Sequence, residues 1–137
     1  MDLRQLFDDL VRFETDLWNG IDATLRQACD LPLGSFNVML VVDGTPACRV
    51  NDVADRLSIT IGGASQAVDR LQARGLCERH ANPADRRSSV VALTAAGTEA
   101  LRQAGPVFDA ELAKWFEVEG IGQFAAVLRT MRGRRHG

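Results

Sequence analysis

From Asp2 to Cys29 the apolar residues Leu3, Leu6, Phe7, Leu10, Phe13, Leu17, Trp18, Ile21, Leu25 and Ala28 recur at steps of three and four. That spacing lays one broad apolar stripe along a helix of about seven turns. Asp2 can accept from the first unpaired N–H groups, and Asp30-Leu31-Pro32 ends the run. So long a stripe exceeds what the rest of a small domain can cover. It predicts packing against a second copy of the same helix.

The pattern then shortens. Ser35 is a candidate N-cap for a helix through Val42, closed by Asp43-Gly44-Thr45-Pro46. Ala47-Cys48-Arg49-Val50 suits a small strand. Asn51 is placed to cap a helix from Asp52 to Leu57 that turns Val53, Ala54 and Leu57 inward. After a turn at Ser58-Ile59, Thr60 caps a fourth helix ending at Gly75. Its inward face is Ala64, Ala67, Val68 and Leu71, which leaves Gly62, Gly63, Ser65, Gln66, Asp69, Arg70 and Ala73 outside.

Leu76–His80 and Ser88–Leu93 alternate loosely around a polar turn, residues 81–87, which is a hairpin signal. Thr94 caps the next helix, where Pro106 predicts a kink or a break into two segments. A last helix runs from about Ile121 to Met131 with Ile121, Phe124, Ala125, Leu128 and Met131 on one face. The basic tail after Arg132 is expected to fray. The fold class is therefore mainly α with a small β-hairpin wing. We expect a single domain over residues 1–137, with 31–97 as a winged helix-turn-helix lobe and 1–30 and 98–137 as flanking dimerisation helices.

Composition changes this picture little. A chain of 137 residues, 46% hydrophobic and 25% charged, suits one globular domain with a real core. No apolar run is long enough to span a bilayer, and the start MDLRQLFDDL lacks the regions of a signal peptide, so a cytoplasmic protein without membrane partners is expected. Cys29, Cys48 and Cys77 are far apart and form no C-x-x-C, and His80 and His136 are distant from each other. Neither a metal site nor a cofactor is expected from them. No nucleophile, histidine and acid cluster together, so the chain does not read as an enzyme.

Charge is more informative in its distribution than in its sum of −2. Residues 1–48 carry three arginines against eight acids, whereas residues 49–94 carry seven arginines against five acids. The positive balance thus falls on the helix-turn-helix and the hairpin. A fourth helix in a major groove would bring Thr60, Gly62, Gly63, Ser65, Gln66 and Arg70 to double-stranded DNA. Gln66 can pair with adenine through two hydrogen bonds, and Thr60 lies at the positive end of the helix. Gly62 and Gly63 permit a close approach, either of DNA or of the preceding helix. Arg86 and Arg87 at the hairpin tip suit a narrow minor groove or the flanking phosphates. Asp85 would repel phosphate and is assigned instead to holding Arg87.

These residues resemble the MarR family of regulators. The similarity rests on Val53-Ala54-Asp55-Arg56-Leu57, on Ser65 to Leu71 followed by Gly75-Leu76, and above all on Asn82-Pro83-Ala84-Asp85-Arg86-Arg87-Ser88 continuing through Val91, Leu93, Thr94 and Gly97. The resemblance implies a homodimer whose first and last helices interleave, reading an inverted-repeat operator, with Asp85 holding Arg87. It also implies a small aromatic or phenolic ligand between dimer helices and DNA-binding lobe, where Trp18, Phe36, Met39 and Arg49 are the candidates. Gln66 stands where an arginine is frequent in the family. Cys29 lies at the wrong end of the first helix for the peroxide-sensing arrangement. The expected function is a sequence-specific transcriptional repressor released by a ligand. The alternative is a winged-helix module that binds protein through its acidic first helix.

Overall fold

The computed structural model describes residues 1–85 and 87–136, the side chains of Arg135 and His136 excepted. The chain runs α1 (Leu3–Cys29), α2 (Leu33–Gly44), α3 (Val50–Leu57), α4 (Ile61–Ala73), β1 (Cys77–Ala81), β2 (Ser89–Leu93), α5 (Ala95–Trp115) and α6 (Ile121–His136). Three helix starts follow local side-chain chemistry. Asp2 accepts from the amides of Arg4 and Gln5, Thr60 from Gly63, and Thr94 from Gly97.

Two other starts depart from the expected ones. α2 begins at Leu33, ahead of Ser35, because its cap comes from another helix: Asp22 Oδ1 in α1 accepts the Leu33 amide at 2.9 Å. The Leu33 N–H holds the Asp22 carboxyl below its usual range; burial opposes this and Arg26 adds to it. α3 begins at Val50, ahead of Asn51, and the Arg49 amide donates to Asp52 Oδ2 at 2.9 Å.

The expected strand at Ala47–Val50 does not form. Ala47 takes a left-handed conformation with φ 50°, and Cys48 makes one ladder-like bond, accepting from the Val91 amide at 2.7 Å. β1 and β2 pair antiparallel with Cys77 opposite Leu93 and Ala81 opposite Ser89.

The core lies where α2 is enclosed by the C-terminal part of α1, by α3, α4 and α5, and by β2. Leu25, Leu31, Phe36, Met39, Val53, Val68, Leu71 and Val91 are buried there. α5 passes Pro106 as one continuous helix, contrary to the expected break. The proline removes one intrahelical bond, but buried Ala104 before it and Phe108 after it, its ring tilted against that of Phe36 at 4.7 Å, pin both halves to the same core. α6 also continues through the basic tail to His136, past the expected fraying point. Arginine is a good helix former, and cations suit a helix C-terminus.

Outside this core two apolar surfaces stay open. The first half of α1 exposes Leu3, Leu6, Phe7 and Leu10, and the segment around α6 exposes Val118, Phe124, Val127 and Met131. Phe13 and Trp115 meet edge to face at 6.0 Å between these two surfaces. Among the described residues no helix is long and apolar enough to cross a membrane.

Candidate nucleic-acid interface

α4 presents the outward residues that its spacing predicts. Ala64, Val68 and Leu71 are buried, whereas Gly62, Gln66, Asp69 and Arg70 are exposed and Gly63 and Ser65 are half-buried. A Cβ built on Gly62 would meet nothing within 4 Å, so packing against α3 does not account for that glycine. The space beside it is open to an incoming surface. Thr60 spends its hydroxyl oxygen on the helix cap, at 3.0 Å from the Gly63 amide. At the far end Gly75 turns the chain with φ 73°, and its carbonyl accepts from the Thr94 hydroxyl at 2.6 Å.

The wing tip is built by short side chains bonding to nearby backbone. Asn82 Oδ1 accepts the Ala84 amide at 3.0 Å, and its Nδ2 donates to Ser88 Oγ at 3.1 Å. Asp85 Oδ1 accepts the Arg87 backbone amide at 2.9 Å. Asp85 was expected to hold Arg87; among the described residues the contact is to its main chain. A carboxylate two residues ahead of an amide closes a tight turn on itself, and this reach is shorter than the path to the guanidinium. Arg87 is exposed, and Arg86 lies outside the described residues.

Helix and wing share one groove of about 380 Å³, lined by Arg49, Ile61, Ser65, Arg79, Arg87 and Ser88 among others. Its wall includes Arg79 of β1, whose guanidinium reaches back to α4. It lies 2.8 Å from Asp69 Oδ1, 2.6 Å from Gln72 Oε1 and 3.4 Å from the Ser65 carbonyl.

A larger cleft, about 840 Å³, opens between α1, α2 and α4. Trp18, Asp22, Arg26, Asn37, Arg70 and Arg74 are among its lining residues. Of the four residues expected in a ligand pocket, only Trp18 lies here. Phe36 and Met39 are core residues, 1% and 0% exposed, and Arg49 belongs to the wing groove. Packing of α2 against its neighbours leaves Gly34, Ser35 and Asn37 at the cleft and buries Phe36 and Met39. Arg74 ties the end of α4 to the end of α1, donating to the Asp30 carbonyl at 2.8 Å.

The thiols stand apart from both sites. Burial pushes Cys77 up to about 11, with Cys48 adding to the effect, and burial followed by Asp52 raises Cys48. Protonated, buried thiols are poor nucleophiles. Among the described residues no group of three His, Cys, Asp or Glu side chains is placed to hold a metal ion.

A model of the MarR family matches residues 30–88. Over that span the chain is similar to the MarR family. The match runs from the C-cap of α1 through α4 to the wing, and so contains the groove just described. An uncharacterized HTH-type transcriptional regulator of Bacillus subtilis (strain 168), YfiV, is 28% identical over 65 residues, which cover 47% of this chain and 41% of that protein. The chain thus spans less than half the length of that relative.

The MarR fold itself extends further than the matched segment. Sco3205 of Streptomyces coelicolor, a MarR family regulator solved in complex with DNA, superposes with a TM-score of 0.88 at 23% identity, covering 98% of this chain and 86% of that one. BpsR of Bordetella bronchiseptica, whose DNA binding is regulated by 6-hydroxynicotinic acid, gives a TM-score of 0.81 at 23% identity over 96% and 98% of the two chains. At such identities the shared property is the fold, here including α1, α5 and α6. Within this shared fold, reading the sequence alone missed Arg79 and Arg74. For Arg79 a signal was present: it shares the packed face of β1 with buried Cys77, and an arginine there needs an acid opposite.

Proposed function

We propose that the protein is a dimeric, sequence-specific DNA-binding repressor. In this reading residues 31–97 form the DNA-binding lobe, and residues 1–30 and 98–137 supply dimerisation helices within one domain. α4 enters the major groove with Gly62, Gly63, Ser65 and Gln66 leading, while Arg86 and Arg87 follow the flanking backbone or minor groove. The observation that carries this reading is the shared groove. Ile61 and Ser65 at the start of α4 line it together with Arg49 and Arg87, so base-reading and phosphate-binding groups face the same side.

Selection from a random duplex pool tests it directly. The expected product is an inverted repeat with half-site centres about 10 base pairs apart. On the selected site Arg87→Ala should weaken binding about tenfold and reduce the salt slope by about one counterion. Recovery of no preferred sequence would remove the reading, and an unchanged salt slope would remove the wing contact.

The cleft between α1, α2 and α4 supports release by a small aromatic or phenolic ligand, and its lining favours one that bears an acid group. Trp18 offers a ring face and Arg70 a cation, beside Arg26 and Arg74, which also bond Asp22 and the Asp30 carbonyl. Regulation of BpsR by an aromatic acid is in keeping with this class. In a Trp115→Phe background, titration with hydroxylated benzoates should quench Trp18 fluorescence and release the operator over the same concentration range. Quenching without release would separate the cleft from regulation.

A further inference from the structure

We propose that Arg79 positions the wing against the recognition helix and masks the Asp69 carboxylate on that helix's DNA-facing side. This rests on the DNA-binding reading of α4. Ser65, Asp69 and Gln72 stand one turn apart along a single stripe of α4. The Arg79 guanidinium engages all three, through the Ser65 carbonyl, Asp69 Oδ1 and Gln72 Oε1. A planar fork with fixed, spread donor directions fits such a row, whereas a compact ammonium cannot span all three acceptors.

Arg79 sits at the middle of the hairpin, paired in register with Val91, whose amide donates to the Cys48 carbonyl. The Arg79 contact therefore links the wing strand to α4, while the Val91 bond ties the wing to the loop ahead of α3. The side chain is only 24% exposed, so its pairing is screened less than that of an open surface pair.

The charge matters as much as the geometry. Asp69 lies one turn beyond Ser65 and Gln66 on the outward face, and its side chain is 62% exposed. Unpaired, it would place a negative charge beside DNA phosphates. Arg79 neutralises it and draws it toward the wing strand, leaving Ser65 and Gln66 clear for the bases.

The test uses the full-length protein, the selected operator duplex and a fixed moderate salt concentration. Arg79→Ala should bind about tenfold more weakly than wild type. Adding Asp69→Asn should recover about threefold of that loss, because the exposed charge goes with it. A merely structural brace predicts no recovery, since the second change adds no contact between strand and helix. Thermal melts should be alike for the single and double variants. Arg79→Lys, which keeps charge without the fork, should fall between wild type and Arg79→Ala, and it carries the test if the alanine variant does not fold. The inference is overturned if Arg79→Ala or Arg79→Lys binds as wild type does, or if the double variant binds no better than Arg79→Ala. Failure of the wild type to bind any selected duplex would instead remove the DNA reading on which it stands.

Discussion

Gly97→Ala is expected to lower folding stability by about 3 kcal/mol, a large share of what a small domain has to spare. A Cβ at this position would lie 2.0 Å from the Leu76 carbonyl oxygen and 3.0 Å from its carbon. Both are backbone atoms, which cannot rotate away as a side chain can. Relief requires α5 to lift from the β1 entry. Lifting breaks the Thr94 amide to Leu76 carbonyl bond at 3.1 Å and the Thr94 hydroxyl to Gly75 carbonyl bond at 2.6 Å. The cap that Thr94 gives α5 through the Gly97 amide would be disturbed as well.

Urea denaturation of the variant measures this. Gly133→Ala is the control: it too lies within a helix, α6, has no proline beside it, and a Cβ there meets nothing within 4 Å. It should stabilise by about 0.5–1 kcal/mol from the gain in helix propensity. A Gly97→Ala midpoint close to wild type would refute the close approach.

The second large effect concerns assembly. Phe7→Glu or Phe124→Glu is expected to give a monomer at concentrations where wild type sediments as a dimer, and to cut operator affinity about a hundredfold or more. Phe7 is 68% exposed and Phe124 42% exposed in the single chain, each within an apolar surface that also holds Leu3 and Leu6 or Val127 and Met131. A soluble monomer rarely exposes two such surfaces, and a carboxylate inserted between them would be buried without a partner. Affinity falls with assembly because, in the proposed dimeric reading, each protomer holds one half-site and the second contact depends on the first. Sedimentation and binding measured on the same preparation decide it. A glutamate variant that stays dimeric and binds normally would move the interface elsewhere.

The parts of the site that could be read from the sequence are those whose partners are close along the chain. Thr60 and Thr94 cap helices three residues ahead, and both assignments hold. The outward face of α4 follows from its period, and the wing follows from its order of strand, polar turn and strand. Arg79 could not be assigned in this way, because its partners Ser65, Asp69 and Gln72 lie 14, 10 and 7 residues back on a different element. The pocket assignment failed for a related reason. Phe36 and Met39 were named for a ligand by resemblance, and it is the packing of neighbouring helices over α2 that makes them core. Asp85 was correctly tied to Arg87, but the bonded group is the amide, which residue chemistry alone did not distinguish from the guanidinium.

By itself, then, the chain's amino-acid order determined the mainly helical build, the winged helix-turn-helix order, the exposed residues of α4 and the apolar stripe of α1. Each depends on periodicity or on hydrogen bonds that span three or four residues, and these act wherever the segment sits. Only the tertiary structure decided where α2 starts, that α5 crosses Pro106 unbroken, that Arg49 belongs to the wing groove, and that Arg79 spans wing and helix. Each of those depends on a partner brought near by packing: Asp22 for Leu33, the core around Ala104 and Phe108 for Pro106, and α4 for Arg79. Packing likewise gives Gly97 its role, since the Leu76 carbonyl that excludes a Cβ arrives through the fold and not through the motif.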